Sequence, residues 1–142
     1  IDCFNKEVIG YAMADHMRTD LICEALDMAA RNHILAERCI FHSDRGTQFT
    51  STQFADKLNE LGLRQSLGRT GICYDNAMAE SFFAALKNEL IYRKVYPTRK
   101  RAREDIARYI ETFYNSRRLH SGLGYKAPRE VRTEYLNQQA AA

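Results

Sequence analysis

Apolar positions recur along this chain in two rhythms, one of helical and one of strand spacing. Leu21, Ile22, Ala25, Leu26 and Ala29 return every three or four residues, which predicts a helix over 20–32 with Thr19 as its N-cap and Asp20 in its first turn. Ser51 or Thr52 can cap a second helix carrying Phe54, Leu58 and Leu61, and Gly62 stops it. Ala79, Phe82, Phe83, Leu86 and Leu90 form a stripe that predicts a long helix over 76–93. After Pro97 and Thr98, Ala102, Ile106, Tyr109, Ile110 and Phe113 predict another over 99–116, and Pro128 opens a last short one. Between these lie short β-prone runs. Residues 1–4 and 8–13 read as a hairpin, 39–42 as a central buried strand that ends at Ser43-Asp44, and 63–67 as a further strand. Residues 68–74, with two glycines and no periodicity, read as a mobile loop; Asp75 reads as a helix cap and Tyr74 as a packing residue.

Strands alternating with helices after an initial hairpin argue for a layered α/β domain with helices on both faces of the sheet. In such sheets functional residues gather at the carboxyl ends of strands, where Asp44 stands. With 142 residues the chain suits one domain. Residues 1–137 read as that domain and 138–142 as a disordered tail. The chain opens on Ile1 in what reads as mid-strand, the mark of a piece of a longer polypeptide.

Composition excludes several classes. No apolar run is long enough to span a bilayer and no signal peptide is visible, so a reducing cytoplasm is the default and no membrane is implied. Cys3, Cys23, Cys39 and Cys73 show neither a C-x-x-C pair nor a histidine at ligand spacing, which argues against zinc and more strongly against a disulfide framework; Cys23 and Cys39 read as small core residues. A net charge of +3 is a weak signal, but from residue 93 to 132 basic residues crowd a stretch with few acids. That suits a polyanionic partner, although each such Arg or Lys, taken singly, reads as well as part of a solvated helix face.

The chemistry concentrates between His42 and Lys87. Asp44 ends a strand and Glu80 sits on an amphipathic helix; two carboxylates on rigid elements are what a divalent metal needs for phosphoryl transfer. Helical spacing puts Asn76, Ala84 and Lys87 on the face of Glu80, with Lys94 further along, so Lys87 could meet the phosphates of a nucleic acid whose scissile bond lies near Glu80. Singly, each has a blander reading. A strand-end Asp is more often a turn or cap residue, a helix Glu is usually solvated surface, and His42 reads as a packed strand residue more readily than as a ligand. Their joint arrangement raises the case.

That arrangement closely resembles the integrase-type core of bacterial insertion-sequence transposases, relatives of retroviral integrases. The matching pieces are His42-Ser43-Asp44-Arg45-Gly46-Thr47-Gln48-Phe49-Thr50-Ser51 and Asn76-Ala77-Met78-Ala79-Glu80-Ser81-Phe82-Phe83-Ala84-Ala85-Leu86-Lys87, with 35 residues between Asp44 and Glu80. Tyr114-Asn115-Ser116-Arg117-Arg118-Leu119-His120-Ser121-Gly122-Leu123-Gly124-Tyr125, followed by Ala127-Pro128, resembles the family's C-terminal signature. The resemblance implies a ribonuclease H-like three-layer fold around a central mixed sheet. It also implies a two-metal site for Mg²⁺ or Mn²⁺, DNA partners at transposon ends and target, and a homo-oligomer. Asp44 and Glu80 would be catalytic metal ligands, with Lys87, Asn76, Arg45, Lys94, Arg117 and Arg118 meeting DNA.

Family members carry three acids. Residues 1–10 resemble the strand segment after the first acid, so that acid and its strand are expected to precede Ile1, and Asp2 is assigned a structural role. Two readings follow: a transposase core that cleaves and joins strands, or a catalytically incomplete DNA-binding and assembly fragment of one. A generic ribonuclease H-like nuclease is disfavoured by the C-terminal signature. An uncovered sheet edge would favour self-association.

Overall fold

The structure is a computed structural model that describes residues 1–68 and 76–141. The expected loop over 69–74, the Tyr74 and Asp75 roles and Cys73 fall outside the described residues. The chain divides into two compact units, Ile9–Ala77 and a second made of Ile1–Val8 with Met78–Ala142.

In the first unit α1 (Thr19–Asn32) is followed by β1 (Ile40–Ser43), α2 (Thr52–Glu60) and β2 (Arg64–Leu67). The predicted first helix is one residue longer at its start: Arg18 is the N-cap, without a side-chain bond, and the Thr19 hydroxyl instead donates to Ser51 Oγ at 3.2 Å. Ser51 caps α2 by accepting from Phe54 N. Gly62, at φ 66°, closes α2 because the Leu63 N–H must reach back to the Leu58 carbonyl, a left-handed reversal that glycine adopts without steric cost. Cys23 and Leu26 of α1 pack with Phe54, Leu58 and Leu63, and the Phe41 and Phe49 rings meet Phe54 edge-on at 5.1 and 5.7 Å. Phe54 is fully buried, and its removal would cost about 3–5 kcal/mol.

Two expectations fail here. The strand at 39–42 is not fully buried: only Ser43 is buried, Phe41 is half-buried, and Ile40, His42 and Cys39 are exposed. The described residues hold a two-stranded parallel sheet, with Ile40 opposite Arg64 and Ser43 opposite Leu67, which is compatible with the expected α/β fold and forms only part of a central mixed sheet. Successive side chains of a strand point to opposite faces of its sheet, and only the face carrying Phe41 and Ser43 is covered, which leaves Ile40 and His42 exposed. The hairpin over 1–13 is also absent. Residues 9–13 belong to no strand, and Gly10 lies so close to α1 that a Cβ there would collide with the Ala25 carbonyl and sit 2.9 Å from the Ala29 methyl.

The second unit holds α3 (Ala77–Glu89), a 3₁₀ turn (Ile91–Arg93), α4 (Arg99–Arg108), a π-helical segment (Tyr109–Tyr114), a second 3₁₀ turn (Ser121–Leu123) and α5 (Pro128–Ala140). The helix predicted over 99–116 is continuous in path but not in type. The wider π turns, with Asn115 N donating to the Ile110 carbonyl, add a residue to the repeat. They turn Tyr114 and Asn115 inward, and Phe113, assigned to the core by α-helical spacing, is exposed. The Asn115 side chain then serves as a partner strand would: it donates to the Val8 carbonyl and accepts from Val8 N, both at 2.9 Å. Glu7 is buried among Asn5, Arg129 and Arg132, which ties the first residues to α5. Asp2 closes this turn, exchanging backbone bonds with Lys6 and Glu7 and accepting from Phe4 N, which is the structural role expected of it. Helix α5 runs through Ala140, where the sequence suggested a disordered tail from 138.

Candidate nucleic-acid and metal site

Asp44 follows directly on β1 and is exposed. Its Oδ1 accepts from Gly46 N at 2.8 Å, the local turn that a strand-end Asp commonly makes. Among the described residues its second oxygen has no partner. Arg45 donates from Nε to the Gly68 carbonyl at 3.0 Å, which ties the turn after β1 to the end of β2. His42 is exposed, with Nδ1 3.0 Å from Ser66 Oγ across the parallel pair.

Glu80 lies in the first turn of α3 and is exposed; among the described residues it makes no ion pair or hydrogen bond. Phe82 and Leu86 supply the buried side of α3, and Phe82 meets Tyr114 edge-on at 5.0 Å. On the other side Glu80, Phe83, Ala84, Lys87, Asn88 and Tyr92 line one open groove of about 490 Å³. Glu80 and Lys87 therefore share a face, as their spacing implied. Asn76 stands in a 3₁₀ turn immediately before α3 and is half-buried. Tyr92 and Asn88 were not singled out from the sequence; their signal was an aromatic and an amide inside the helix predicted over 76–93. Phe83, read as core, is exposed.

The remaining basic residues separate by environment. Lys94 donates to Asp105 at 2.9 Å, and this bond holds the Asp105 carboxyl below its ordinary range, with Arg101 and Arg108 adding to it. Arg118 grips Glu89 through Nε and Nη2, at 2.7 Å for the shortest contact, while the Tyr109 hydroxyl donates to the same carboxylate at 2.7 Å. The Arg118 hydrogen bonds lower the Glu89 pKa, and burial together with Glu89 pushes the Tyr109 phenol up. His120 stacks edge-on against Tyr114 at 5.0 Å; burial, with Arg118 beside it, lowers its pKa to about 4. Arg118 thus anchors the loop after the π segment to α3, a role set by its bidentate fork. Arg117 is exposed and has no ion pair among the described residues.

Two exposed carboxylates are an all-oxygen donor set that suits a hard divalent cation, which takes one or two carboxylates and fills its shell with water and phosphate oxygens. Asp44 and Glu80 fit such an ion as partial ligands. They fall in different compact units, and no group of three or more His, Cys, Asp or Glu able to hold a metal occurs among the described residues.

Comparison with known proteins bears on what this site serves. Two family profiles, each described as an integrase core domain, match residues 1–73 and 61–128. Over 92% of its length the chain is 39% identical to a protein of Lactococcus lactis described as a transposase for insertion sequence element IS904. It is 40% identical over 99% of its length to an uncharacterised 31 kDa protein of insertion element IS600 from Shigella sonnei. A third relative, the transposase InsF for insertion sequence IS3A of Escherichia coli, is 38% identical over 96% of the chain. The chain covers 51%, 51% and 47% of these proteins, so it spans about half the length of the curated relatives it matches.

Proposed function

This chain belongs to the integrase core domain family, and from that premise we propose that it carries the second and third catalytic acids of a DDE-type DNA transposase. In this reading Asp44 and Glu80 are the metal-ligating carboxylates for phosphodiester cleavage and strand transfer at transposon ends and target DNA. The observation that most supports it is the groove on α3, lined by a carboxylate and an ammonium, Glu80 and Lys87, that make no ion pair among the described residues.

Mg²⁺ or Mn²⁺ held there would neutralise phosphate charge and make the attacking oxygen more nucleophilic. The chain's own residues do the rest. Lys87 takes a phosphate by charge, without reading sequence. The Gly46 N–H fixes the direction of the Asp44 carboxylate. The packed side of α3 keeps Glu80 from swinging, because Phe82 and Leu86 anchor its helix. Arg117 adds to a basic surface, and Asn76 stands where it could meet the strand entering the groove.

The test is Mn²⁺-dependent nicking of DNA bearing an insertion-sequence end, by the protein and by its Glu80→Gln and Asp44→Asn variants. Each change removes a ligand charge and should lower the rate by more than about 100-fold with the fold intact. A Glu80→Gln protein that nicks at the parent rate would sink the proposal. Retained DNA affinity without any metal-dependent nicking would favour the DNA-binding and assembly reading. Self-association is part of the same proposal. By the pairing register, the N–H and C=O groups of Ile40 and His42 point away from β2, and among the described residues no strand covers that edge.

A further inference from the structure

The groove on α3 holds more than a carboxylate and a lysine. Its lining includes two aromatic rings, Tyr92, 71% exposed, and Phe83, 53% exposed. Large aromatic rings with this much surface in water are poorly explained by packing, and here they border a shared concavity that also holds Lys87. Tyr92 is held in place. Leu90 N donates to the Leu86 carbonyl, Arg93 N to the Leu90 carbonyl at 3.3 Å, and Arg93 Nε to the Asn88 carbonyl at 2.9 Å, so the 3₁₀ turn is locked onto the last turn of α3. The Asn88 side-chain amide, with donors and an acceptor and no partner among the described residues, lines the same groove.

We propose that this groove receives one unpaired nucleotide of a DNA strand end, its base stacked on Tyr92, its edge met by Asn88 and its phosphate held by Lys87. The proposal rests on the reading that the chain acts on DNA ends, and it names the feature recognised: a frayed or single-stranded terminus rather than intact duplex. The chemistry agrees at each point. An aromatic face accepts any base, an amide can bond a base edge, and an ammonium takes the phosphate. A second protein's helix would also cover exposed aromatic surface, but it would leave Lys87 facing an apolar ridge without a counter-charge.

Binding is measured with EDTA present, so that nothing is cut, on two probes of one sequence: a blunt duplex and the same duplex with a short single-stranded end. The overhang carries a fluorescent adenine analogue whose emission falls on stacking. The protein should prefer the overhang and quench the analogue. Tyr92→Ala should weaken overhang binding roughly 5- to 150-fold and abolish the quench, while leaving blunt-duplex affinity unchanged; Tyr92→Phe should restore both. Equal affinity for the two probes, or a quench that survives Tyr92→Ala, would overturn the proposal. So would Tyr92→Ala weakening both probes alike. The outcome is separable from that of the cleavage reading. Nicking that survives Glu80→Gln would sink the metal assignment and leave the stacking result standing, whereas an absent quench with nicking still dependent on Glu80 would do the reverse.

Discussion

Asn115 shows how one side chain can replace an element of structure. The first residues of the chain have strand-like composition but no ladder, and the backbone groups of Val8, buried at 6% exposure, would otherwise lack partners. A primary amide presents an N–H donor and a carbonyl acceptor side by side, much as a peptide group does, which is why an Asn can bond both the N–H and the carbonyl of Val8. Asn115→Ala should therefore destabilise by roughly 2–4 kcal/mol, since two buried backbone groups lose their bonds at once; chemical denaturation measures it, and a loss below about 0.5 kcal/mol would refute the role. His120 makes a pH-dependent contribution. Its folded pKa, about 4, lies below the unfolded value of 6.5, so the unfolded chain binds more protons between those values. Stability should then fall as pH drops from 6.5 towards 4, by no more than about 3 kcal/mol. Thermal melts across that range should show a shallower slope in His120→Asn. The depressed Glu89 carboxyl acts in the same direction, but its contribution is lost only below its ordinary value of 4.5, so the range above pH 5 isolates the imidazole.

At the scale of elements, the π segment decides which side chains the C-terminal region buries. An α-helix read through residues 99–116 puts Phe113 inside; the wider turns put Tyr114 there and bring Arg118 to Glu89. The two adjacent arginines should separate experimentally. Arg118→Ala leaves the part-buried Glu89 carboxylate with only the Tyr109 hydroxyl as donor among the described residues and should lower stability by about 1–3 kcal/mol. Arg117→Ala, on an exposed residue, should leave the melting temperature unchanged and weaken DNA binding instead. If both variants lost affinity equally with no change in melting, Arg118 would belong with the DNA-contacting residues as the sequence suggested. The Ser51 cap and the Gly62 reversal, by contrast, are local features: a hydroxyl before a helix and a glycine after it, each legible from its neighbours.

For the whole molecule the relevant quantity is charge. The formal excess is small, +3, and several basic groups of the C-terminal half are already neutralised by Asp105, Glu89, Glu7 and Glu111. The cations left for a polyanion are therefore fewer than a count of Arg and Lys suggests. DNA affinity should still fall with salt, with a log–log slope near −0.9 per phosphate contacted, and Lys87→Ala should reduce that slope by about one. A slope unchanged by Lys87→Ala would remove that residue from the interface. The uncovered edge of β1 adds a second expectation: sedimentation over a concentration series should show association, and strict monomers throughout would count against pairing through that edge.

What the sequence determined by itself was local or periodic. Helices α1, α2 and α3 follow from apolar spacing, the stop after α2 from Gly62, and the common face of Glu80 and Lys87 from their seven-residue separation; the family resemblance came from contiguous motifs. What only the tertiary structure decided depended on partners remote in the chain. Whether 39–42 is buried on one face or on both depends on what covers each face of its sheet. Whether Arg118 faces solvent depends on Glu89, 29 residues earlier, and Val8 is satisfied by an amide 107 residues away. The groove beside Glu80 belongs to both kinds. Helical arithmetic placed its carboxylate and lysine together, but only the tertiary structure ends α3 at Glu89 and has Tyr92, in the 3₁₀ turn that follows, line the same groove.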